Sequence, residues 1–184
     1  MGGSMSSVVI SGDTSGAITL AAPAVSGTNT ATLPAATGTV MVSGNMPAFS
    51  AYGSALQSAT SSSFTKIAYN TKLFDTAIAY DATTNYRFQP TVAGYYQVNA
   101  SMGSSPSVTG GINIYIYKTG SLYSRGSNVA NSNYGPDVTI SALVYLNGSS
   151  DYIEIYGYQN SGGALNIGSN ASSYPFSACL VRSA

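Results

Sequence analysis

The chain has 184 residues, 44% of them apolar and only 7% charged, with six Lys/Arg balancing six Asp/Glu. That length suits one ordinary domain plus a tail. A charged fraction far below the usual ~25% excludes recognition of nucleic acid through a basic patch, because phosphate contacts need clustered Lys and Arg. With no His and one Cys, neither a His-dependent catalytic site nor an intrachain disulfide can be built.

No apolar run approaches the ~20 residues of a spanning helix, so no membrane insertion is expected. Solubility falls to Ser, Thr, Asn, Gly and the hydroxyls of 15 Tyr. Residues 1–5 read as a cloning remnant, Met1-Gly2-Gly3-Ser4 ahead of Met5. No basic-then-apolar leader is visible. A neutral, hydroxyl-rich composition without an export signal fits a virion, assembled in the cytoplasm and released by lysis.

Residues 6–45 form an N-terminal stalk or linker segment rich in Ala, Thr, Gly and Ser, with one charge, Asp13, and no aromatic residue. Ile18-Thr19-Leu20-Ala21-Ala22-Pro23 is echoed by Ala31-Thr32-Leu33-Pro34-Ala35-Ala36. Small and β-branched residues broken by Gly and Pro predict short strands. Alone, this segment buries too little apolar area to order itself, so it is either a flexible leader or wraps with copies of itself.

Residues 46–184 form the head. Strands are predicted at 48–52, 65–69, 86–88, 94–102, 112–118, 121–125, 138–146, 152–158 and 174–181, punctuated by Gly, Pro, Asn and Ser. Asn147-Gly148 is the sharpest turn signal. No segment has helical periodicity, so the pattern is that of a β-sandwich or barrel. Within 86–98, Pro90 lacks a ladder donor and Gly94 tolerates unusual backbone angles, which predicts a sheet edge turning into a central strand.

Alternation assigns faces. Ile112, Ile114 and Ile116 share one face, with Asn113, Tyr115 and Tyr117 opposite. Ile153 and Ile155 point inward, leaving Tyr152, Glu154, Tyr156 and Tyr158 outward. The strand 138–146 is partly apolar on both faces, which implies a second cover, most naturally another subunit. Cys179 is expected to be a small buried hydrophobe.

Chemistry is sparse. Asp151 and Glu154 lie on opposite strand faces, no Gly-x-Ser-x-Gly occurs, and Asp75, Asp81, Asp137 and Asp151 form no ligand-spaced loop. The chain is therefore read as not an enzyme, with no cofactor and no metal site. The outer tyrosines Tyr115, Tyr117, Tyr152, Tyr156 and Tyr158 can stack on sugar rings. They also suit plain cross-strand packing or cover by a neighbouring subunit. The polar stretches 101–110, 126–136 and 159–173 read as binding loops, with Ser105, Asn128, Asn131, Asn133 and Asn160 as candidates.

These residues carry a resemblance. Ala48-Phe49-Ser50-Ala51, Ile67-Ala68-Tyr69-Asn70, Tyr80-Asp81, Tyr86-Arg87-Phe88-Gln89-Pro90, Ala93-Gly94-Tyr95-Tyr96-Gln97-Val98 and Phe176-Ser177-Ala178-Cys179-Leu180-Val181 resemble, in order and spacing, a C1q-like domain of the tumour-necrosis-factor type. Leu143 to Gly148 followed by Asp151 to Ile155 is similar to that family's penultimate hairpin. Ser149-Ser150 at the usual Gly-Asp junction and Ala178 in place of a common Gly depart from the pattern.

The resemblance implies an all-β, ten-strand jelly-roll sandwich that is homotrimeric, with Tyr95, Leu143, Tyr145 and Phe176 as trimer-packing candidates. Residues 11–38 resemble a segment recurring in phage tail fibres, especially those of cyanophages. That implies a short β-rich stalk ahead of the head.

The function expected from this is a trimeric tail-fibre or spike tip on a virion, binding a host cell-surface glycan or protein. Other virion proteins would be partners through the N-terminal segment. The alternatives are a head-decoration or short-fibre protein without a receptor, and a bacterial extracellular C1q-like adhesion protein.

Overall fold

The computed structural model describes residues 7–25, 27–32, 35, 40–105, 108–132, 135–169 and 174–184, with backbone alone for 45, 105 and 108. It divides into two compact units, Met1–Gly38 and Thr39–Ala184. The second begins ahead of residue 46 because Met41 already packs against the core.

In the first unit, β1 (Ser7–Ser11) and β2 (Ala17–Ala21) form an antiparallel hairpin with Val8 opposite Leu20 and Ile10 opposite Ile18. Every residue of both strands is exposed. The sequence echo at 31–36 falls partly on residues 33, 34 and 36, outside the described residues.

The second unit opens with a 3-10 turn, Ser43–Asn45, and then runs through strands. They are β3 (Ala48–Tyr52), β4 (Gln57–Ala59), β5 (Ser63–Lys66), β6 (Thr71–Asp75), β7 (Tyr80–Asp81), β8 (Arg87–Phe88) and β9 (Gly94–Ser105). After them come β10 (Val108–Lys118), β11 (Ser121–Ser132), β12 (Asp137–Leu146), β13 (Ile153–Gln159), β14 (Leu165–Gly168) and β15 (Phe176–Ser183).

One sheet runs β6-β3-β15-β9, with β12 on the other side of β9 and β14 and β4 alongside its far end. The other runs β11-β10-β13-β8-β7, with β5 also on β13. Two stacked antiparallel sheets make the expected jelly-roll sandwich.

The inward faces are those that alternation assigns. Ile112, Ile114, Ile116, Ile153 and Ile155 from the β10 sheet meet Tyr96, Val98, Met102 and Val144 from the β9 sheet, all fully buried. Phe49 stacks on Tyr80 at 4.5 Å and on Phe88 at 4.6 Å. Buried tyrosine hydroxyls stay satisfied: Tyr69 donates to the Ser101 carbonyl at 2.8 Å, Tyr80 to that of Tyr69 at 2.9 Å, and Tyr96 to that of Val92 at 2.7 Å. Burial raises all three hydroxyl pKa values, that of Tyr96 to about 12.

Several expectations are corrected. Phe176 is fully buried inside the protomer, edge-on to Phe49 at 4.9 Å, and so is not available to a subunit seam. Cys179 is exposed, because Phe176, Ala178 and Leu180 take the inward face and leave Ser177, Cys179 and Val181 outside. β12 and β13 are not a hairpin. The Asn147 side-chain oxygen accepts the N–H groups of Ser149, Ser150 and Asp151, and the chain crosses from one sheet to the other there.

The stretches 101–110 and 126–136 are largely strand, in β9, β10 and β11. Gly94 owes its place to close approach: a Cβ would stand 2.4 Å from the Arg182 carbonyl oxygen of β15. At the sandwich edge, Ser127 Oγ accepts the Thr139 N–H at 2.7 Å and donates to the Thr139 carbonyl at 3.1 Å, joining β11 to β12.

Candidate functional site

The outer face of the β10 sheet carries a patch built row by row from strand register. The first row is Asn128 of β11, Asn113 of β10, Tyr158 of β13 and Phe64 of β5. The second is Arg125, Tyr115, Tyr156 and Lys66 on the same strands. In the third, Tyr117 faces Glu154, and Glu154 faces Arg87 of β8. Two-residue alternation on β10, β13 and β5, and a bulge between Arg125 and Asn128 on β11, put these side chains on the side away from the Ile core.

Phe64 is the centre. Its ring lies 5.1 Å from that of Tyr115, 5.9 Å from Tyr117 and 5.2 Å from Tyr158, while Tyr117 and Tyr156 are 4.2 Å apart. These are favoured edge and tilted geometries. Phe64 itself is 45% exposed, whereas Tyr115 beneath it is only 8% exposed. Burial pushes the Tyr117 and Tyr156 hydroxyl pKa values up; like any tyrosine they are protonated donors at neutral pH. Glu154, also buried, is neutralised by the Lys66 ammonium.

The rim holds two guanidinium groups. Arg125 Nε and Nη2 both donate to Asn113 Oδ1, at 3.1 and 2.6 Å. Arg87 lies 4.4 Å over the Tyr152 ring, a cation–π arrangement. Tyr152 thus belongs to the Arg87 end, apart from the four tyrosines that cluster with Phe64.

The loop candidates divide. Asn128 is exposed in the first row of the patch. Asn131 Oδ1 accepts the Gly110 N–H at 2.9 Å, and Asn160 Oδ1 accepts that of Gly111, so both pin the start of β10. Ser105 lies on β9 opposite Asn166. Asn133 falls outside the described residues.

Asp75, Asp81, Asp137 and Asp151 are dispersed. Asp75 meets Lys72, Asp81 folds back on Thr83, Thr84 and Asn85, Asp137 meets Tyr174, and Asp151 meets Lys118. Among the described residues no three metal-ligating side chains converge.

Phe64, Lys66, Arg87, Asn113 and Arg125 were not singled out from sequence. The alternation of Ser63-Phe64-Thr65-Lys66-Ile67, with Ile67 fully buried, was the signal that places Phe64 and Lys66 outward. A strand beginning at residue 65 conceals it.

A second face with exposed apolar side chains is the outer face of the β9 sheet. Leu143 is 52% exposed there, Tyr145 40% and Tyr95 41%, with the two tyrosine rings 5.4 Å apart. Beside them Gln97 Nε2 donates to Ser141 Oγ at 2.8 Å, and Ser141 Oγ donates to Asn99 Oδ1 at 2.9 Å.

No protein-family model and no curated protein matches the chain. Solved structures do. The globular domain of zebrafish complement 1qA protein is 18% identical, with a TM-score of 0.54 over 75% of this chain and 99% of that one. Murine APRIL is 9% identical, with a TM-score of 0.56 over 74% and 99%. The PRD1 vertex protein P5 is 17% identical, with a TM-score of 0.52 over 74% and 97%. The head unit has the jelly-roll fold of C1q- and tumour-necrosis-factor-type domains.

Proposed function

We propose that the chain forms a homotrimer on a virion surface, as the tip of a tail fibre or spike, and that the outer face of the β10 sheet binds a host-surface glycan or protein. The observation that carries this is the Phe64 patch. It combines an exposed aromatic ring, protonated tyrosine hydroxyls and two guanidinium groups on a face that the core does not use. Aromatic faces beside polar groups suit weak stacking on sugars, and three such sites per tip raise avidity without new contacts.

Self-association is supported by the bare Leu143, Tyr145 and Tyr95, which an isolated protomer leaves in water. The β1–β2 hairpin supports a stalk, since a lone two-stranded hairpin is marginal in water and gains cover from copies of itself. The chain acts by binding and not by turnover; four of its carboxylates are tied into ion pairs or backbone turns.

The test is adsorption. Purified protein should stain the host cells of the virus that encodes it and block attachment of the particle; failure of both ends the receptor reading. The similarity to the PRD1 vertex protein favours a second reading, a structural virion protein without a receptor. In that case substitutions of Phe64 and the outer tyrosines leave host range unchanged.

A further inference from the structure

We propose that the patch takes the carboxylate of an acidic sugar, a uronic or nonulosonic acid residue of a surface polysaccharide, on the Arg125 guanidinium, with the sugar ring against Phe64. This deepens, and rests on, the receptor-binding reading above.

The argument starts from charge. The three lysines are all ion-paired, Lys66 with Glu154, Lys72 with Asp75 and Lys118 with Asp151. Arg125 enters no such pair among the described residues; it is exposed and held by a neutral amide. The nearest carboxylate on the patch, Glu154, is already neutralised by Lys66. Asp81, opposite Arg87 in register, is turned back onto Thr83, Thr84 and Asn85. The patch therefore lacks a compensating anion for Arg125.

Geometry names the anion. A guanidinium has five N–H donors, and Asn113 Oδ1 takes one each from Nε and Nη2. What is left is the Nη1–Nη2 edge, the side that receives a planar carboxylate through two parallel hydrogen bonds. The buried Asn113 amide fixes that edge, so little side-chain freedom is lost on binding.

Arg125 and Phe64 then converge. They stand on β11 and β5, on opposite sides of β10, yet one reaches Asn113 and the other packs on Tyr115. Those two β10 residues share a face about 7 Å apart. The strands that carry Arg125 and Phe64 are three spacings apart, about 14 Å. The two side chains narrow that span by leaning onto Asn113 and Tyr115. It suits a saccharide that stacks a ring on Phe64 and sets its carboxylate on Arg125. An acidic peptide would satisfy Arg125 but need not use the exposed Phe64 ring, which a sugar ring can stack on.

The experiment is a titration of the full chain, following the Arg side-chain N–H and Phe ring resonances. The probes are tetramers of galacturonate, glucuronate and mannuronate, and sialyllactose, each beside its carboxyl-reduced counterpart, plus a glutamate-rich peptide.

At least one acid should bind about tenfold tighter than its reduced form, the gap expected for a charge-assisted bidentate contact. Arg125→Gln should erase the gap and leave the reduced sugar's affinity unchanged. Arg125→Lys should recover part of it, and Phe64→Leu should weaken acid and reduced sugar alike. The amide spectrum of each variant verifies its fold. Equal binding of every pair, an acid preference that survives Arg125→Gln, or a peptide binding as tightly as the best sugar overturns the proposal.

Adsorption assays separate this from the parent reading. If Arg125→Gln protein stains hosts and blocks attachment as well as wild type, the acidic-sugar assignment falls and receptor binding stands. If wild type does neither but discriminates acids in the titration, the assignment stands and receptor binding falls.

Discussion

The two outer faces of the sandwich use the same residue types to opposite ends. On the β10 sheet, aromatic rings cover one another: Phe64 caps Tyr115, and Tyr117 lies on Tyr156. The ion pair beneath them is complete within one chain. On the β9 sheet, Tyr95 and Tyr145 also pack on each other, flanked by the exposed aliphatic Leu143 and an amide–hydroxyl network that is itself satisfied. An aromatic face rimmed by guanidinium groups suits a polar ligand. One flanked by an exposed aliphatic side chain leaves apolar area in water and suits another protein surface. Tyrosine content alone does not separate a site from a seam; what flanks the rings does.

The sharpest way to break this contrast is a pair of substitutions. Phe176→Ala empties part of the core and should cost about 3–5 kcal/mol in denaturant unfolding. Leu143→Glu should leave the circular dichroism spectrum intact while the sedimentation mass falls from that of the proposed trimer to the 18.8 kDa of one chain. Unfolding by Leu143→Glu would mean that this face is core after all.

Next in size is Lys66→Met, which strands the buried Glu154 carboxylate. With Lys66 about one-third exposed, a loss of about 2–3 kcal/mol is expected, largely restored by adding Glu154→Gln. Gly126→Ala tests the edge between the faces. Its Cβ would meet the Thr139 carbonyl oxygen at 2.4 Å, and overpacking there should cost about 1–3 kcal/mol.

Acid should act through Asp81, whose carboxyl is held well below the ordinary range chiefly by the N–H groups of Thr84 and Thr83. A folded-state pKa below the unfolded value gives stability that is complete above about pH 4 and lost as pH falls through the folded value. Asp81→Asn should therefore flatten the acid limb of the stability profile. Phe64→Ala is smallest for folding, under about 1 kcal/mol for so exposed a ring, although it removes the centre of the patch.

Much of the architecture was readable because it is local. β3 runs over Ala48–Tyr52 as expected, and the Ile faces of β10 and β13 point inward. What was hidden depends on distant partners. Phe64 joins the tyrosines only because β5 pairs with β13, nearly a hundred residues away. Ser127 to Ser132 has the composition of a loop, yet it is strand because β10 supplies its ladder and solvent tolerates its polar side chains. Phe176 sits inside because the larger side chains of β15 share its parity, a choice that a half-apolar run leaves open.

One consequence follows from the outward turn of β15. The sole thiol of the chain, Cys179, lies opposite Ala48 and Gln97 on the face assigned to self-association. In the self-association proposed above, assembly would hide this thiol and dissociation bare it, so the alkylation rate of the unmodified protein would read out how often a subunit leaves.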